Sequence, residues 1–126
     1  MLEAYSTNIT VAADAVVPFN NVTVEKGCTA ILSAPGTINL NKCGVYMVSF
    51  DASIAASTTF ELFKDGIAQP QAQSTAGTAP GFTTLVQVDR NNCGCACSSP
   101  VTIQVKNVGT AEATVTNANI VVTKVC

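Results

Sequence analysis

The sequence predicts an all-β fold, and three observations predict it. Apolar and polar side chains alternate with a period of two along most of the chain. Gly, Pro, Asn or Asp breaks the alternation about every 8 to 15 residues. No stretch carries the 3.6-residue repeat of an amphipathic helix. At 126 residues the chain has the length of one domain that can bury a real core, so residues 1–126 are read as a single domain.

The clearest strand runs over 45–56. Tyr46, Val48, Phe50, Ala52 and Ile54 fall on one face and Met47, Ser49, Asp51 and Ser53 on the other, so the first face is predicted to enter the core. In 59–63, Phe60 and Leu62 oppose Glu61. The Lys64-Asp65-Gly66 that follows is a turn signal, because Asp-Gly tolerates positive φ. Strands are also predicted over 83–88, with Thr84, Val86 and Val88 on one face, and over 101–105, with Val101, Ile103 and Val105 on one face. The stretch 114–125 contains Ile120-Val121-Val122, apolar on both faces, as expected of a strand covered on one side by the core and on the other by a neighbouring subunit. Weaker strands over 8–11, 17–24, 30–33 and 37–40 bring the total to about nine. The segment 69–81, rich in Ala, Gln, Ser, Thr, Gly and Pro, reads as a surface loop.

Composition restricts the function. Hydrophobic residues make up 48% and charged residues 11%, against about 25% charged in an average soluble domain. So thin a charged coat predicts that part of the surface is hidden against another subunit. The net charge of −2, with no basic run, excludes the electrostatic footprint of a nucleic-acid binder. The longest apolar stretches, such as 119–125, fall well short of the roughly 20 residues of a membrane-spanning helix, so membrane insertion is not expected. Met1-Leu2-Glu3-Ala4-Tyr5 lacks the basic and apolar regions of a secretory signal. Histidine is absent, which removes the commonest general base and a leading metal ligand.

Three segments, in order, carry a resemblance. Gly44-Val45-Tyr46-Met47-Val48-Ser49-Phe50 resembles the Gly-Val-Tyr-aromatic-x-Ser-aromatic strand of the globular heads of complement-related and tumour-necrosis-factor-like (TNF-like) proteins. Upstream, Val17-Pro18-Phe19-Asn20-Asn21-Val22 resembles that family's Phe-x-x-Val segment, and downstream Leu62-Phe63-Lys64-Asp65-Gly66 resembles its Leu-x-Lys-Asn-Gly corner. The likeness spans about 8–125 and is nearest to the bacterial and phage branch, similar to the C-terminal domains of collagen-like spore-surface (exosporium) glycoproteins. It implies a two-sheet, ten-stranded jelly-roll sandwich assembled as a homotrimer. The chain departs from that branch in having no Gly-X-Y stalk and in a cysteine-rich stretch between Arg90 and Pro100.

Six cysteines stand out: Cys28, Cys43, Cys93, Cys95, Cys97 and Cys126. In an extended chain the sulfurs of Cys93, Cys95 and Cys97 would project to one side, which admits a thiolate-bound Zn²⁺ or an interchain disulfide ring. The spacing matches no standard zinc signature, so structural disulfides are the preferred reading and no cofactor is expected. The fold implied by the resemblance puts Cys43 and Cys126 toward one end, making Cys43–Cys126 one candidate bridge; Cys28 paired with one member of the 93–97 cluster is another, among the 15 pairings that six cysteines allow. Asp65 reads as a turn residue and Asp89 as a strand end facing solvent, so that Asp51, Asp65 and Asp89 are scattered acids rather than an acid/base pair or a Ca²⁺ site. Asn8-Ile9-Thr10 and Asn21-Val22-Thr23 match glycosylation acceptors, read as chance matches.

With no nucleophile or acid/base constellation, the chain is not expected to be an enzyme. The function expected first is a trimeric structural module on a phage virion surface, a decoration or head-fibre protein partnered by capsid or surface-layer proteins. The second is the head of a spore-surface filament. The third is an adhesin or lectin that grips host glycans or a receptor through 69–81 and 91–99, with Gln69, Gln71, Gln73, Asn91 and Asn92 as the binding residues.

Overall fold

The computed structural model describes residues 1–88 and 101–126. Ten strands follow one another: β1 (Leu2–Val11), β2 (Asn21–Glu25), β3 (Ala30–Ala34), β4 (Thr37–Leu40), β5 (Gly44–Ile54), β6 (Phe60–Lys64), β7 (Ile67–Gln73), β8 (Gly81–Val88), β9 (Val101–Asn107) and β10 (Ala113–Lys124). They form two five-stranded sheets, β2-β1-β10-β5-β8 and β3-β4-β9-β6-β7, in which every paired neighbour is antiparallel. Among the described residues there is no helix, and no helix is long and apolar enough to cross a membrane. The architecture is the ten-stranded jelly-roll sandwich that the resemblance implies, one strand more than the alternation alone predicts.

The alternation of apolar residues decides which way each strand faces. Tyr46, Val48, Phe50, Ala52 and Ile54 are all buried, as are Val101, Ile103 and Val105 on the facing sheet. Phe50 sits at the centre, its ring 6.1 Å from that of Phe19, 5.5 Å from Phe60 and 5.4 Å from Phe82. Tilted and edge-on rings at these separations are favourable arrangements for aromatic pairs. Tyr46 is fully buried and keeps its hydroxyl satisfied, donating to the Lys42 carbonyl at 2.8 Å. At the β6–β7 turn, Asp65 and Gly66 adopt φ of 51° and 82°. This left-handed pair, cheap for Asp-Gly, matches the twist of a two-residue hairpin, and Asp65 Oδ1 also accepts from the Thr102 amide at 2.9 Å.

Three expectations are corrected. The first strand begins at Leu2, not near Asn8: Leu2, Ala4 and Ser6 are buried, but the small side chains of Ala4 and Ser6 give a faint apolar signal. Residues 17–20 lie outside any strand, although Val17 and Phe19 are fully buried. There Val17 N donates to Val105 O at 2.8 Å while Pro18, which has no N–H, cannot continue a ladder. The segment predicted as a loop over 69–81 starts inside β7. Pro70 argues against a central strand, but β7 is the last strand of its sheet, and an edge tolerates a residue without a donor.

Candidate functional site

The outward face of the β2-β1-β10-β5-β8 sheet presents three cross-strand rows. One contains Tyr5, Asn119 and Asp51, the next Glu3, Val121, Ser49 and Thr83, and the third Thr123, Met47 and Leu85. The rows between them, Ala4-Ile120-Phe50-Phe82 and Leu2-Val122-Val48-Thr84, turn inward to the core. A strand alternates its faces, so burial of one set fixes exposure of the other. Leu85 is 60% exposed, and Tyr5, Met47 and Val121 are half-buried. The only charged side chains in the three rows are the carboxylates of Glu3 and Asp51. Glu3 is tied down by Thr23, whose hydroxyl donates to Oε1 at 2.7 Å, and by Asn119, whose amide donates to Oε2 at 3.4 Å. Ser49 and Thr83 hydroxyls meet at 3.3 Å. The result is a pleated surface with apolar side chains in each of its three rows and few charges.

The outward face of the other sheet is more polar. Lys106 Nζ lies 4.6 Å from the centroid of the Phe63 ring, and Gln104 Nε2 donates to Thr37 Oγ1 at 2.9 Å. Gln69, Gln71 and Gln73, predicted as loop residues, stand instead at alternate positions of β7 and therefore on one face of it. Gln71 Nε2 donates to Gln69 Oε1 at 3.3 Å, Gln69 Nε2 to Ile67 O at 3.0 Å, and Gln73 Nε2 to Glu61 Oε1 at 3.4 Å. Much of the hydrogen-bonding capacity assigned to a ligand is thus used within the strand and its neighbour. Asn91 and Asn92 lie outside the described residues.

Topology gathers the described cysteines at one end of the sandwich: Cys28 between β2 and β3, Cys43 between β4 and β5, and Cys126 after β10. Cys28 and Cys126 are free and exposed, so neither the Cys43–Cys126 bridge nor a pairing of Cys28 within the cluster forms. Val125 N donates to Val45 O at 2.8 Å, and the Cys126 carbonyl lies beside Gly44 and accepts from Lys124 Nζ at 2.8 Å. Cys43 packs half-buried against the core and is disulfide-bonded. Cys93, Cys95 and Cys97, and the metal reading attached to them, lie outside the described residues. Among the described residues no three His, Cys, Asp or Glu side chains converge on a metal site.

The opposite end is organised by a residue that no sequence motif marks. Asn107, fully buried, ends β9 and makes four hydrogen bonds: Nδ2 to Val11 O (3.1 Å) and Ala111 O (3.0 Å), and Oδ1 from Thr58 Oγ1 (3.0 Å) and Gly109 N (2.9 Å). A polar residue whose donors and acceptors are all used locks the loops around it. The signal was present in the sequence, because Val101, Ile103 and Val105 share the inward parity and Asn107 continues it.

No family model and no curated protein matches the sequence. Solved structures do match the fold. The globular domain of zebrafish complement 1qA protein aligns over 99% of this chain and 96% of its own with a TM-score of 0.70 at 9% identity. The PRD1 vertex protein P5 aligns over 99% and 96% with a TM-score of 0.68 at 14% identity. Murine APRIL aligns over 98% of both chains with a TM-score of 0.63 at 10% identity. At such identities the likeness is one of fold, a jelly roll of the complement 1q and tumour-necrosis-factor type, and function has to be argued from the surface.

Proposed function

We propose that residues 1–126 form one non-enzymatic structural module that assembles as a homotrimer and displays its jelly roll on the surface of a virion. The observation that carries this reading is the outward face of the β2-β1-β10-β5-β8 sheet. Leu85, Met47, Val121 and Tyr5 are its apolar side chains, with the carboxylates of Glu3 and Asp51 as the only charges in its three rows. Burying such a face against identical copies removes apolar surface from water at roughly 25 cal/mol per Å² and desolvates few ions. A closed ring uses the face in every copy and leaves none to drive open-ended association. Likeness in fold to the PRD1 vertex protein supports placement on a particle. Capsid or surface-layer proteins are the partners this reading expects.

Sedimentation velocity tests the assembly. The expected species has three times the 12.9 kDa mass of one chain. A monomer persisting across the accessible concentration range overturns the trimer. Quantitative mass spectrometry of purified particles tests the location, and absence of the protein from intact virions, with the gene expressed, overturns the virion placement.

A further inference from the structure

At the end of the sandwich away from Met1 and Cys126, the β5–β6, β7–β8 and β9–β10 connections enclose a cleft of about 310 Å³. Its walls carry the hydroxyls of Ser57, Thr58, Thr59 and Thr110, its one charged side chain is Glu112, and Gly109 belongs to its floor. We propose that this cleft is a binding site for a neutral sugar, a single hexose or N-acetylhexosamine ring at the end of a glycan.

Three features lead there. The floor is rigid: buried Asn107 holds the Thr58 hydroxyl, the Gly109 amide and the Ala111 carbonyl in one network. A Cβ at position 109 would collide with Thr58 Oγ1, so glycine there permits the close approach of the two loops. The rim, in contrast, is unused. The side chains of Ser57, Thr59, Thr110 and Glu112 make no hydrogen bond or ion pair among the described residues. A fixed floor under unspent donors and acceptors is the arrangement that lowers the ordering cost of binding a polar ligand.

The chemistry of the rim selects the ligand. Hydroxyls both donate and accept, and so do the hydroxyls of a sugar, while the Glu112 carboxylate accepts from two of them at once. Anionic ligands, phosphates and sialic acid among them, meet a carboxylate and no cation. The volume is near the lower bound of roughly 300 Å³ for small-molecule sites, which suits one ring rather than a chain. The residues differ from Gln69, Gln71 and Gln73, whose amides are largely engaged along β7. This proposal does not depend on the trimer, so the failure of either leaves the other standing.

The test is amide chemical-shift titration of the full ¹⁵N-labelled protein with methyl glycosides of neutral hexoses, with N-acetylglucosamine, and with sialic acid as the anionic control. At least one neutral sugar is expected to shift the amides of Ser57, Thr110 and Glu112 with a dissociation constant of about millimolar order. Glu112→Gln and Ser57→Ala, both at exposed positions, are each expected to weaken that binding roughly threefold to tenfold. The proposal is overturned if no neutral sugar shifts these amides, if the shifts fall on β7 instead, if sialic acid binds better, or if both variants bind as the parent does.

Discussion

Asn107 and Thr58 lie 49 positions apart in the chain and are joined by a 3.0 Å hydrogen bond at the end of the sandwich that bears the cleft. Replacing Asn107 by Ala leaves the Thr58 hydroxyl, the Gly109 amide and the Val11 and Ala111 carbonyls without this partner. Water can reach some of these groups but not all, because Asn107 itself is fully buried. Asn107→Ala is expected to destabilise the fold by about 3 kcal/mol, read as a lowered urea midpoint with an unchanged denaturant slope. Thr58→Val removes one member of the set and should cost clearly less.

Phe50 connects three other rings and both sheets. Truncation to Ala removes its contacts with Phe19, Phe60 and Phe82 at once and opens a cavity in the core. Phe50→Ala is expected to cost about 3 to 5 kcal/mol, whereas Phe82→Ala, at the half-buried edge strand β8, should cost less. Chemical denaturation of the two variants side by side checks the order.

The cysteines give a chemical prediction. Cys28 and Cys126 are free and exposed, and Cys43 is disulfide-bonded. Alkylation of the native protein without reductant, followed by peptide mapping, should label Cys28 and Cys126 and leave Cys43 unmodified until the protein is reduced. Protection of Cys126 in the native protein would contradict its free and exposed state.

These residues also mark how far the sequence could be read. Strand β5 was legible because five apolar side chains at a strict period of two leave one orientation for it, and the Asp65-Gly66 turn because few residue pairs accept its backbone. Strand β7 was not, since Pro70 and three glutamines carry the composition of a loop and only the edge position makes them a strand. Asn107 was within reach through its parity, but its four partners come from distant segments that no local pattern joins. The cleft was out of reach for the same reason: Ser57, Thr110 and Glu112 become neighbours only once β5 and β9 end at the same side of the sandwich.

The outward face of the first sheet yields the last prediction. If copies of the chain hide Leu85 and Met47 against one another, folding is coupled to association, and the thermal midpoint must rise with protein concentration. Leu85→Glu should abolish that dependence. Leu85 is 60% exposed within one chain, so the change removes little from the core of the individual fold. In the assembled form it sets a new carboxylate on a surface whose existing charges, Glu3 and Asp51, are both negative. Desolvating an unpaired carboxylate there costs several kcal/mol per copy. Calorimetry over a hundredfold range of concentration should therefore show a rising midpoint for the parent and a flat one for Leu85→Glu. A midpoint that rises equally for both would mean that the copies meet elsewhere, and a flat one for both that folding is not coupled to association.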